Sequence, residues 1–266
     1  MSLADTPSHD SPFGDLPSIR DRLSGPGPSL VALDFDGTLT EIVDDPEAPG
    51  LTEKRRAALA RIPSQDRWLA VVSGRALEDV RRRVAIPEAI LIGNHGLEIE
   101  GPGIRESPGP ELTERLAAVL AEIARAVEER GARIENKRWT GTIHTRPRDA
   151  ARLHAEVGRA IEGVVRAAGF ELLAGKATWV VRPAGARHKG GAVLRLIEAL
   201  PGAAARRTLY VGDDATDEDA FRALEEGITI RVGEPGASTA ARYRLAEPAE
   251  LYQLLGSLLP TPREGT

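Results

Sequence analysis

SLVALDFDGTLT, residues 29–40, is the stretch that decides the fold. Its apolar run over residues 30–33 suits a buried strand, yet the run ends in two carboxylates, Asp34 and Asp36. Side chains two residues apart on a strand point to the same face, so these charges would lie close together. Like charges at that range suppress each other's ionisation unless a cation or a turn intervenes. Gly37 offers the turn, and the rest of the chain must supply the cation.

Length and composition narrow the classes of protein. With 266 residues, the chain is long enough for one large domain or two small ones with a sizeable core. Hydrophobic residues make up 41% and charged residues 28%, which is ordinary for a globular protein. The net charge of −5 offers no basic field for nucleic acid or an anionic membrane, so neither partner is expected. The lack of cysteine excludes disulfides, thiolate chemistry and a Cys-bound metal.

The sequence shows no targeting or membrane segment. No apolar run approaches the roughly 20 residues of a membrane span. The first residues lack the basic start and apolar centre of a secretory signal, so we expect a cytoplasmic protein. Residues 1–28 are rich in Pro, Gly, Ser and Asp, and we expect them to form a mobile leader.

After the leader, short apolar runs alternate with helical patterns, which is typical of a parallel sheet. The predicted strands are 29–35, 67–73, 89–93, 207–212 and 227–232. The predicted helices are 52–61, 76–85, 189–200, 217–225 and 248–259. These elements predict an α/β core domain formed by residues 29–104 and 184–266.

The middle of the chain follows another pattern. Its predicted elements are a helix near 110–130, strands at 132–138 and 141–146, a helix at 149–168, and strands at 170–174 and 177–182. This order fits a small antiparallel sheet with two helices packed on it. We therefore predict an inserted α/β cap over residues 105–183.

Four segments carry side chains that could bind a ligand or react. They fall at the ends of predicted parallel strands or open the next helix, where ligands bind in open α/β sheets. They are DFDGTL at 34–39, VSGR at 72–75, HKGG at 188–191 and YVGDDATDEDAF at 210–221. The last is an apolar strand that runs directly into five acidic residues. Because the strand ends share one sheet edge, we expect these segments to converge.

Each segment alone has an ordinary explanation. Surface turns often carry paired aspartates, and Ser-Gly is common turn chemistry. Glu218 and Asp219 fit the first turn of a helix, where acidic groups complement the dipole, but Asp213 and Asp214 follow a buried strand directly. Lys189 would be disfavoured at the positive end of a helix, and an anionic ligand would resolve that misfit.

Taken together, the segments predict a phosphate site built on a divalent cation. Oxygen ligands from Asp34, Asp213 and a backbone carbonyl suit Mg²⁺, which keeps several waters. Such an ion lets neighbouring carboxylates stay ionised and attracts a phosphate. Backbone amides of residues 35–37, the Ser73 hydroxyl and Lys189 would hold the phosphoryl oxygens.

The two carboxylates of the first segment would then take different roles. Asp34 would attack phosphorus in line and form an aspartyl-phosphate. Asp36 would protonate the leaving alkoxide and later deprotonate the water that hydrolyses the intermediate. The roles separate because only one carboxylate of the pair is held on the metal.

DFDGT, SGR, HKG and GDDATDEDAF resemble the four motifs of the haloacid dehalogenase (HAD) superfamily of phosphotransferases. LIGNHGLE at 91–98, IENKRWTGTIHTR at 134–146 and AGKATWVVRP at 174–183 are similar to segments of the trehalose-6-phosphate phosphatase family. The similarity spans roughly residues 29–259. It implies a Rossmann-like core, a mobile α/β cap, Mg²⁺ dependence and hydrolysis of trehalose 6-phosphate to trehalose and phosphate.

The resemblance also implies residue roles on the core domain. The implied catalytic set is Asp34, Asp36, Ser73 and Lys189. The implied metal ligands and supporting carboxylates are Asp34, Asp36 (through its carbonyl), Asp213, Asp214 and Asp217. The residues expected to line the substrate are Gly37, Thr38, Gly74, Arg75, Asn94 and His95, with His95 shaping a loop rather than moving a proton.

The cap segments predict a surface for sugar recognition. The polar residues concerned are Glu135, Asn136, Lys137, His144, Arg146 and Lys176. Strand alternation would bring several of them to one face, where they would bind hydroxyls and reject substrates that lack them. The chain has only four lysines, at 54, 137, 176 and 189, and three of them belong to the predicted site. The alternative is a solvated sheet face.

One departure from the family leaves the sugar open. Val180 stands where the resemblance predicts a Glu that binds sugar hydroxyls, and Thr145 replaces the commoner Tyr between His144 and Arg146. Trp179 could stack on a sugar or fill the core. One rival is a phosphatase for another glycoside phosphate, such as glucosylglycerol phosphate or glycosyl-phosphoglycerate. A second is a non-catalytic regulatory module, against which the complete catalytic set argues.

The expected partner is a small-molecule sugar phosphate. The family resemblance also allows association with a trehalose-6-phosphate synthase, and we expect a monomer.

Overall fold

The structure is a computed structural model that describes residues 11–41, 50–145, 150–175, 177–236 and 238–258. The chain divides into two compact units. Residues 1–105 and 187–266 form the first unit, and residues 106–186 form the second. The sequence placed the insertion at 105–183, close to this division.

The first unit contains a large sheet and helices. Its strands are β1 (Ser29–Asp34), β2 (Arg67–Val72), β3 (Ile90–Gly93), β4 (Glu98–Gly101), β5 (Ile104–Glu106, reaching the second unit), β10 (Thr208–Gly212), β11 (Ile228–Val232) and β12 (Tyr243–Leu245). Its helices are α1 (Leu16–Ser24), α2 (Glu53–Ala60), α3 (Leu77–Val84), α6 (Lys189–Ala199), α7 (Glu218–Ala223) and α8 (Pro248–Leu258).

The sheet has the strand order β12-β11-β10-β1-β2-β3-β4-β5. The strands from β12 to β3 pair in parallel, and β4 pairs antiparallel to β3. The central strand β1 lies between β10 and β2, and it ends at Asp34. This arrangement confirms the predicted α/β class with a parallel sheet.

Strand β1 is buried on both faces because helices cover both sides of the sheet. Val31 and Leu33 pack into a core with residues of α1, α2, α3 and α8. Leu30 and Ala32 point the other way, into a core with residues of α6 and α7. All four side chains have 0% exposure, so the backbone that carries Asp34 is fixed by packing on both sides.

The second unit has the predicted α-β-β-α-β-β order. Its elements are α4 (Pro110–Glu128), β6 (Arg133–Asn136), β7 (Gly141–His144), α5 (Ala150–Ala167), β8 (Phe170–Gly175) and β9 (Thr178–Pro183). The strands form an antiparallel sheet in the order β6-β7-β9-β8. Ile143 and Val181 pack with residues of α4 and α5 in one core, so the helices cover one face of this sheet.

The structure differs from the expected leader over residues 12–24. A turn of 3₁₀ helix at 12–15 leads into α1, whose Ile19 and Leu23 are buried in the core of the first unit. The spacing of Leu16, Ile19 and Leu23 places them on one helical face, a signal that the Pro, Gly and Ser content obscured. The strands β4, β5 and β12 were also not predicted, because runs of three or four residues show no clear alternation.

Among the residues that the structure describes, none of the helices combines the length and apolarity required for a membrane span.

Candidate active site

The carboxyl edge of the central strands brings three of the predicted segments together. Asp34 ends β1, which pairs with β2 on one side and β10 on the other. Ser73 therefore follows the neighbouring strand end, and Asp213 follows the other. Asp34 and Ser73 are 3% and 1% exposed, so both side chains are placed by the surrounding core.

Three carboxylates cluster at this edge. One oxygen from each of Asp34, Asp213 and Asp217 lies within 4.8 Å of the others. Gly37 makes the approach possible: its φ is +86°, and a Cβ there would lie 2.2 Å from Asp213 Oδ2. Glycine alone offers both the backbone conformation and the space at this position. Thr38 also contacts the cluster, since its hydroxyl donates to Asp213 Oδ1 at 3.3 Å.

Lys189 joins two of these carboxylates. Its Nζ donates to Asp34 Oδ1 at 2.6 Å and to Asp217 Oδ1 at 2.8 Å, and its side chain is 4% exposed. The ammonium opens α6, where a cation opposes the helix dipole, and the two aspartates compensate. Burial alone would lower the pKa of Lys189, but the charges of Asp217 and Asp34 raise it above its usual value. Lys189 therefore stays a cation beside Asp34.

Asp217 connects the parts of the site. Its Oδ1 also accepts a hydrogen bond from the Tyr210 hydroxyl at 2.6 Å, and its Oδ2 accepts from the backbone amides of Asp213 and Asp214 at 3.2 and 3.0 Å. Sequence reasoning assigned no role to Tyr210. The available signal was a single tyrosine in an otherwise aliphatic strand that leads into the acidic run.

Burial and neighbouring charges oppose the ionisation of Asp34 and Asp213. Burial, followed by the charges of Asp217 and Asp213, raises the pKa of Asp34 well above its usual value, although Lys189 works against this. Burial and the charge of Asp217 raise the pKa of Asp213 to about 7. One buried ammonium thus compensates three carboxylates only in part. A divalent cation fits this set, because hard oxygen donors are the ligands that Mg²⁺ prefers.

Asp214 does not belong to the cluster. Its side chain is exposed and accepts a hydrogen bond from the backbone amide of Ala215 at 2.6 Å. It forms a capping box with Asp217 at the start of the 3₁₀ turn over residues 215–217. Its carboxylate therefore shapes the loop that carries Asp213.

Asp36 is not a member of the group of three carboxylates and instead pairs with a guanidinium. Arg75 Nη2 donates to Asp36 Oδ1 at 2.7 Å, and Arg75 Nε donates to Asp36 Oδ2 at 2.8 Å. Such a bidentate pair fixes both oxygens of a carboxylate. The side chain of Asp36 nevertheless keeps 45% of its surface exposed.

The GNHG loop at residues 93–96 packs against the SGR loop at residues 73–75 and is hydrogen-bonded to it. The amides of Asn94 and His95 donate to the carbonyls of Arg75 and Ser73 at 2.7 and 3.0 Å. A Cβ at Gly74 would lie 2.3 Å from the His95 ring, so this glycine admits the imidazole. His95 thus packs directly against the SGR turn.

Asn94 has a supporting role rather than the expected contact with substrate. It is 0% exposed, has a φ of +49°, and donates from Nδ2 to Glu98 Oε2 at 2.6 Å. Glu98 also accepts from the amide of Leu77 at 3.3 Å, and so ties the loop to the start of α3. Sequence reasoning gave Glu98 no role, since its partners are set by a left-handed turn that propensities do not reveal.

On the second unit, strand register brings together part of the predicted sugar-binding set. His144 Nε2 donates to Glu135 Oε2 at 2.8 Å, and Lys137 Nζ lies 4.0 Å from the same oxygen. The hydrogen bond from His144 lowers the pKa of Glu135 despite partial burial. A carboxylate, an imidazole and an ammonium therefore lie side by side.

Of the remaining predicted cap residues, the structure describes Asn136, and it does not join this group. Asn136 pairs with Gly141, on the opposite face of the sheet from Glu135, and its Oδ1 accepts from the amide of Arg138 at 2.9 Å. It therefore holds the turn between β6 and β7. Arg146 and Lys176 lie outside the described residues.

The family model for trehalose-phosphatase matches residues 32–249, which is most of the chain. The chain belongs to the trehalose-phosphatase family. Family membership confirms that it is a phosphatase, as the four motifs predicted.

Two relatives illustrate the sequence similarity. The chain is 33% identical over 252 residues to trehalose 6-phosphate phosphatase RA3 of Zea mays, covering 86% of this chain and 69% of that protein. It is 37% identical over 253 residues to the trehalose-phosphate phosphatase of Mycobacterium marinum, covering 90% of this chain and 63% of that protein. The matched region is thus about two thirds of each relative's length.

A solved structure confirms the fold of this trehalose-phosphatase family member. The C-terminal domain of Candida albicans trehalose-6-phosphate phosphatase superposes with a TM-score of 0.77 at 25% identity, covering 92% of this chain and 96% of that one. The predicted HAD-type architecture is therefore confirmed.

In the segment AGKATWVVRP, the adjacent residues Trp179 and Val180 lie on opposite faces of the sheet. Trp179 packs with the core of the second unit, stacks on His154 at 4.3 Å between ring centroids, and donates from Nε1 to the His154 carbonyl at 2.9 Å. It is therefore a partly buried side chain held against this core. Val180 points to the opposite face, where it pairs with Thr142 beside the Glu135 group.

Proposed function

We propose that this chain hydrolyses trehalose 6-phosphate to trehalose and phosphate, with Mg²⁺ and through an aspartyl-phosphate on Asp34. The observation that carries the proposal is the cluster of Asp34, Asp213 and Asp217 around the buried ammonium of Lys189. This arrangement supplies a nucleophile, a cation beside it and oxygen ligands at one sheet edge. The choice of trehalose 6-phosphate as substrate is supported by the similarity to trehalose-phosphate phosphatases.

Asp34 and Asp213 are the proposed side-chain ligands of Mg²⁺. Both oxygens of Asp217 already accept hydrogen bonds, from Lys189 and Tyr210 on one side and from backbone amides on the other. Asp217 is therefore assigned to holding Lys189 and the loop of Asp213 in place. The bound ion would neutralise the carboxylates and the phosphoryl oxygens as charge shifts between them.

In the first half of the reaction, a carboxylate oxygen of Asp34 forms a bond to phosphorus while the bond to the sugar oxygen breaks. The electron pair of the broken bond goes to the sugar oxygen, and Asp36 donates a proton to it. Burial fixes the attacking carboxylate and hydrogen bonding to Lys189 orients it, so little reorganisation precedes attack.

In the second half, Asp36 takes a proton from a water molecule that attacks the phosphorus of the aspartyl-phosphate. The bond between phosphorus and the Asp34 oxygen breaks, which restores the carboxylate and releases phosphate. Lys189 and the Ser73 hydroxyl are proposed to bind the phosphoryl oxygens in both halves. Thr38 holds Asp213 in place throughout.

Glu135, His144 and Lys137 are proposed to recognise sugar hydroxyls. The carboxylate of Glu135 has the His144 imidazole and the Lys137 ammonium within 4.0 Å of one of its oxygens, so the group supplies both donors and acceptors. A sugar that lacks the matching hydroxyls would leave these groups unpaired, which is the basis of discrimination. Arg146 and Lys176 remain predicted members of this set.

A second candidate substrate is another glycoside phosphate. Val180 lies on the same face as the Glu135 group and pairs with Thr142 and Leu173, so this part of the face is less polar than the family resemblance predicts. A substrate with fewer hydroxyls on its second moiety, such as a glucosylglycerol phosphate, would suit it.

Phosphate release from a panel of sugar phosphates, with Mg²⁺ and with EDTA, tests both candidates. We expect trehalose 6-phosphate to give the highest kcat/KM and EDTA to abolish turnover. Preference for another glycoside phosphate would establish the second candidate. Release that persists in EDTA would contradict the metal assignment. The predicted monomeric state, cytoplasmic location and synthase partner stay predictions.

A further inference from the structure

Asp36 belongs to a chain of charges that runs from the site into α3. Arg75 grips both oxygens of Asp36, as described above. The third nitrogen of the same guanidinium, Nη1, donates to Asp79 Oδ2 at 2.9 Å. Arg75 therefore links the proposed general acid to a carboxylate that no motif contains.

Asp79 is itself firmly held. Arg83 Nε donates to both of its oxygens at 2.9 Å, and Arg82 Nη2 donates to Oδ1 at 2.7 Å. Burial alone would raise the pKa of Asp79, but the hydrogen bonds from Arg82, Arg83 and Arg75 lower it to about 2. Asp79 thus remains an anion at every pH at which the enzyme would be assayed.

Arg75 is also confined by the strand end that carries the two aspartates. Its guanidinium carbon lies 5.9 Å from the centre of the Phe35 ring, and Phe35 is 1% exposed. The guanidinium therefore lies against a fixed aromatic ring, with Asp36 on one edge and Asp79 on another. Each of these contacts to Arg75 is made by a residue of the protein itself.

We propose that Asp79 is a positioning residue for proton transfer, which acts through Arg75 to set the orientation of the Asp36 carboxyl group. The inference rests on the proposed function, because it takes Asp36 as the general acid and base. Without Asp79, Arg75 would keep its charge but lose the anchor that directs its donors at Asp36.

The step concerned is the departure of the alcohol. As the bond from phosphorus to the leaving oxygen breaks, the proton of Asp36 passes to that oxygen and Asp36 becomes a carboxylate. The bidentate pair with Arg75 is the arrangement that binds this carboxylate, ready to accept the proton of water in the second half. Because 45% of the Asp36 side chain is exposed, it remains accessible to the leaving-group oxygen in the first half of the reaction and to the attacking water in the second.

The dependence on leaving group separates this role from a structural one. A good leaving group such as p-nitrophenolate departs with little help from an acid, whereas phenolate needs the proton. Loss of alignment at Asp36 therefore slows phenyl phosphate more than p-nitrophenyl phosphate. General loosening of the site would slow both by the same factor.

The experiment measures kcat/KM for a series of aryl phosphates at saturating Mg²⁺, since kcat/KM reports only the steps up to formation of the aspartyl-phosphate. Asp79→Asn should lower the value for p-nitrophenyl phosphate less than about threefold and that for phenyl phosphate about tenfold or more. Asp79→Glu should recover part of the loss on phenyl phosphate. Arg82→Gln is the matched control, because Arg82 contacts Asp79 but is 66% exposed, and it should follow the wild-type line.

Equal losses on all esters in a folded Asp79→Asn variant would overturn the inference. If that variant does not fold, Arg75→Lys replaces it, since this change leaves the pair of Asp79 and Arg83 intact. The same steepening is then expected, and a line parallel to wild type would again overturn the inference. A wild-type protein that releases no phosphate from any ester would overturn the proposed function, whereas active wild type with parallel lines overturns the positioning role alone.

Discussion

The ammonium of Lys189 lies 2.6 Å from the carboxylate of Asp34, although 155 positions separate the two residues in the chain. Both side chains are only 4% exposed. A buried ion pair of this kind is placed by the fold on both sides: Asp34 by the central strand β1, and Lys189 by the first turn of α6. The pair therefore joins the two chain segments of the first unit, residues 1–105 and 187–266, at the candidate active site.

Replacing Lys189 with methionine tests the importance of this pair. We expect kcat to fall about 100-fold or more, because the cation beside the phosphoryl group is lost. The metal-free variant should also melt below wild type, since Asp34 and Asp217 are left buried without their cation. Thermal melts with and without Mg²⁺ check this, and a variant that keeps wild-type kcat would contradict the proposed role.

Gly37→Ala tests the geometry of the metal site. The added Cβ would meet Asp213 Oδ2 at 2.2 Å, so the carboxylate must move and Mg²⁺ affinity should fall at least about tenfold. Gly103→Ala is the control, because Gly103 also has a positive φ, +75°, but nothing lies within 4 Å of a Cβ there. It should lose about 1 kcal/mol of stability and keep its Mg²⁺ affinity. Equal affinity in both variants would be the contrary result.

Tyr210→Phe tests Asp217 as the connecting residue. The change removes one hydrogen bond to Asp217 and retains the ring, which packs edge-on against Phe221 at 5.8 Å. We expect the free energy of unfolding to fall by about 1 kcal/mol and kcat to fall several-fold. Denaturant titration and steady-state kinetics measure the two effects. Unchanged kcat with reduced stability would restrict Tyr210 to a structural role.

Lys137→Ala tests the cap residues proposed to bind sugar. KM for trehalose 6-phosphate should rise at least about tenfold, while KM for p-nitrophenyl phosphate should stay near wild type, because only the first substrate carries hydroxyls. Lys54→Ala is the matched control, since Lys54 is an exposed lysine on α2. An equal rise for both substrates would place Lys137 outside sugar recognition.

The raised pKa of Asp213 predicts a pH effect. Because its folded pKa of about 7 exceeds its unfolded value, the native state binds more protons than the unfolded state between about pH 4 and 7. Its contribution to the stability of metal-free protein is therefore present at low pH and declines as pH rises through 7. Wild type should lose more stability than Asp213→Asn between pH 5.5 and 7.5 in EDTA, measured by denaturant titration. Equal losses of stability in the two proteins would contradict a raised pKa at Asp213.

Much of the core could be predicted because its signals are local. The apolar strand before Asp34 fixes β1, and a strand end that becomes acidic marks Asp213 at the same sheet edge. The misplaced charge of Lys189 at a helix start indicated that an anion lies near it. The structure supplies two aspartates as those anions, Asp34 and Asp217, and the family resemblance had implied Asp217 as a supporting carboxylate near Lys189.

The parts that sequence reasoning missed depend on long-range packing. Asn94 and Arg75 were both expected to line the substrate. A left-handed turn instead directs Asn94 to Glu98, and Arg75 pairs with Asp36 and Asp79. Asp79 resembles any acidic residue in the first turn of a helix, and only tertiary contact shows that it anchors Arg75. Helix α1 escaped notice because its three apolar residues lie among Pro, Gly and Ser.

Chemical trapping of the intermediate tests the central assignment most directly. Enzyme mixed with trehalose 6-phosphate and Mg²⁺ is quenched in acid during turnover, reduced with borohydride, and digested for mass spectrometry. Reduction of an aspartyl-phosphate yields homoserine, so the account predicts homoserine at position 34 and none in an EDTA control. Homoserine at position 36 or 213 instead, or none anywhere during active turnover, would contradict it.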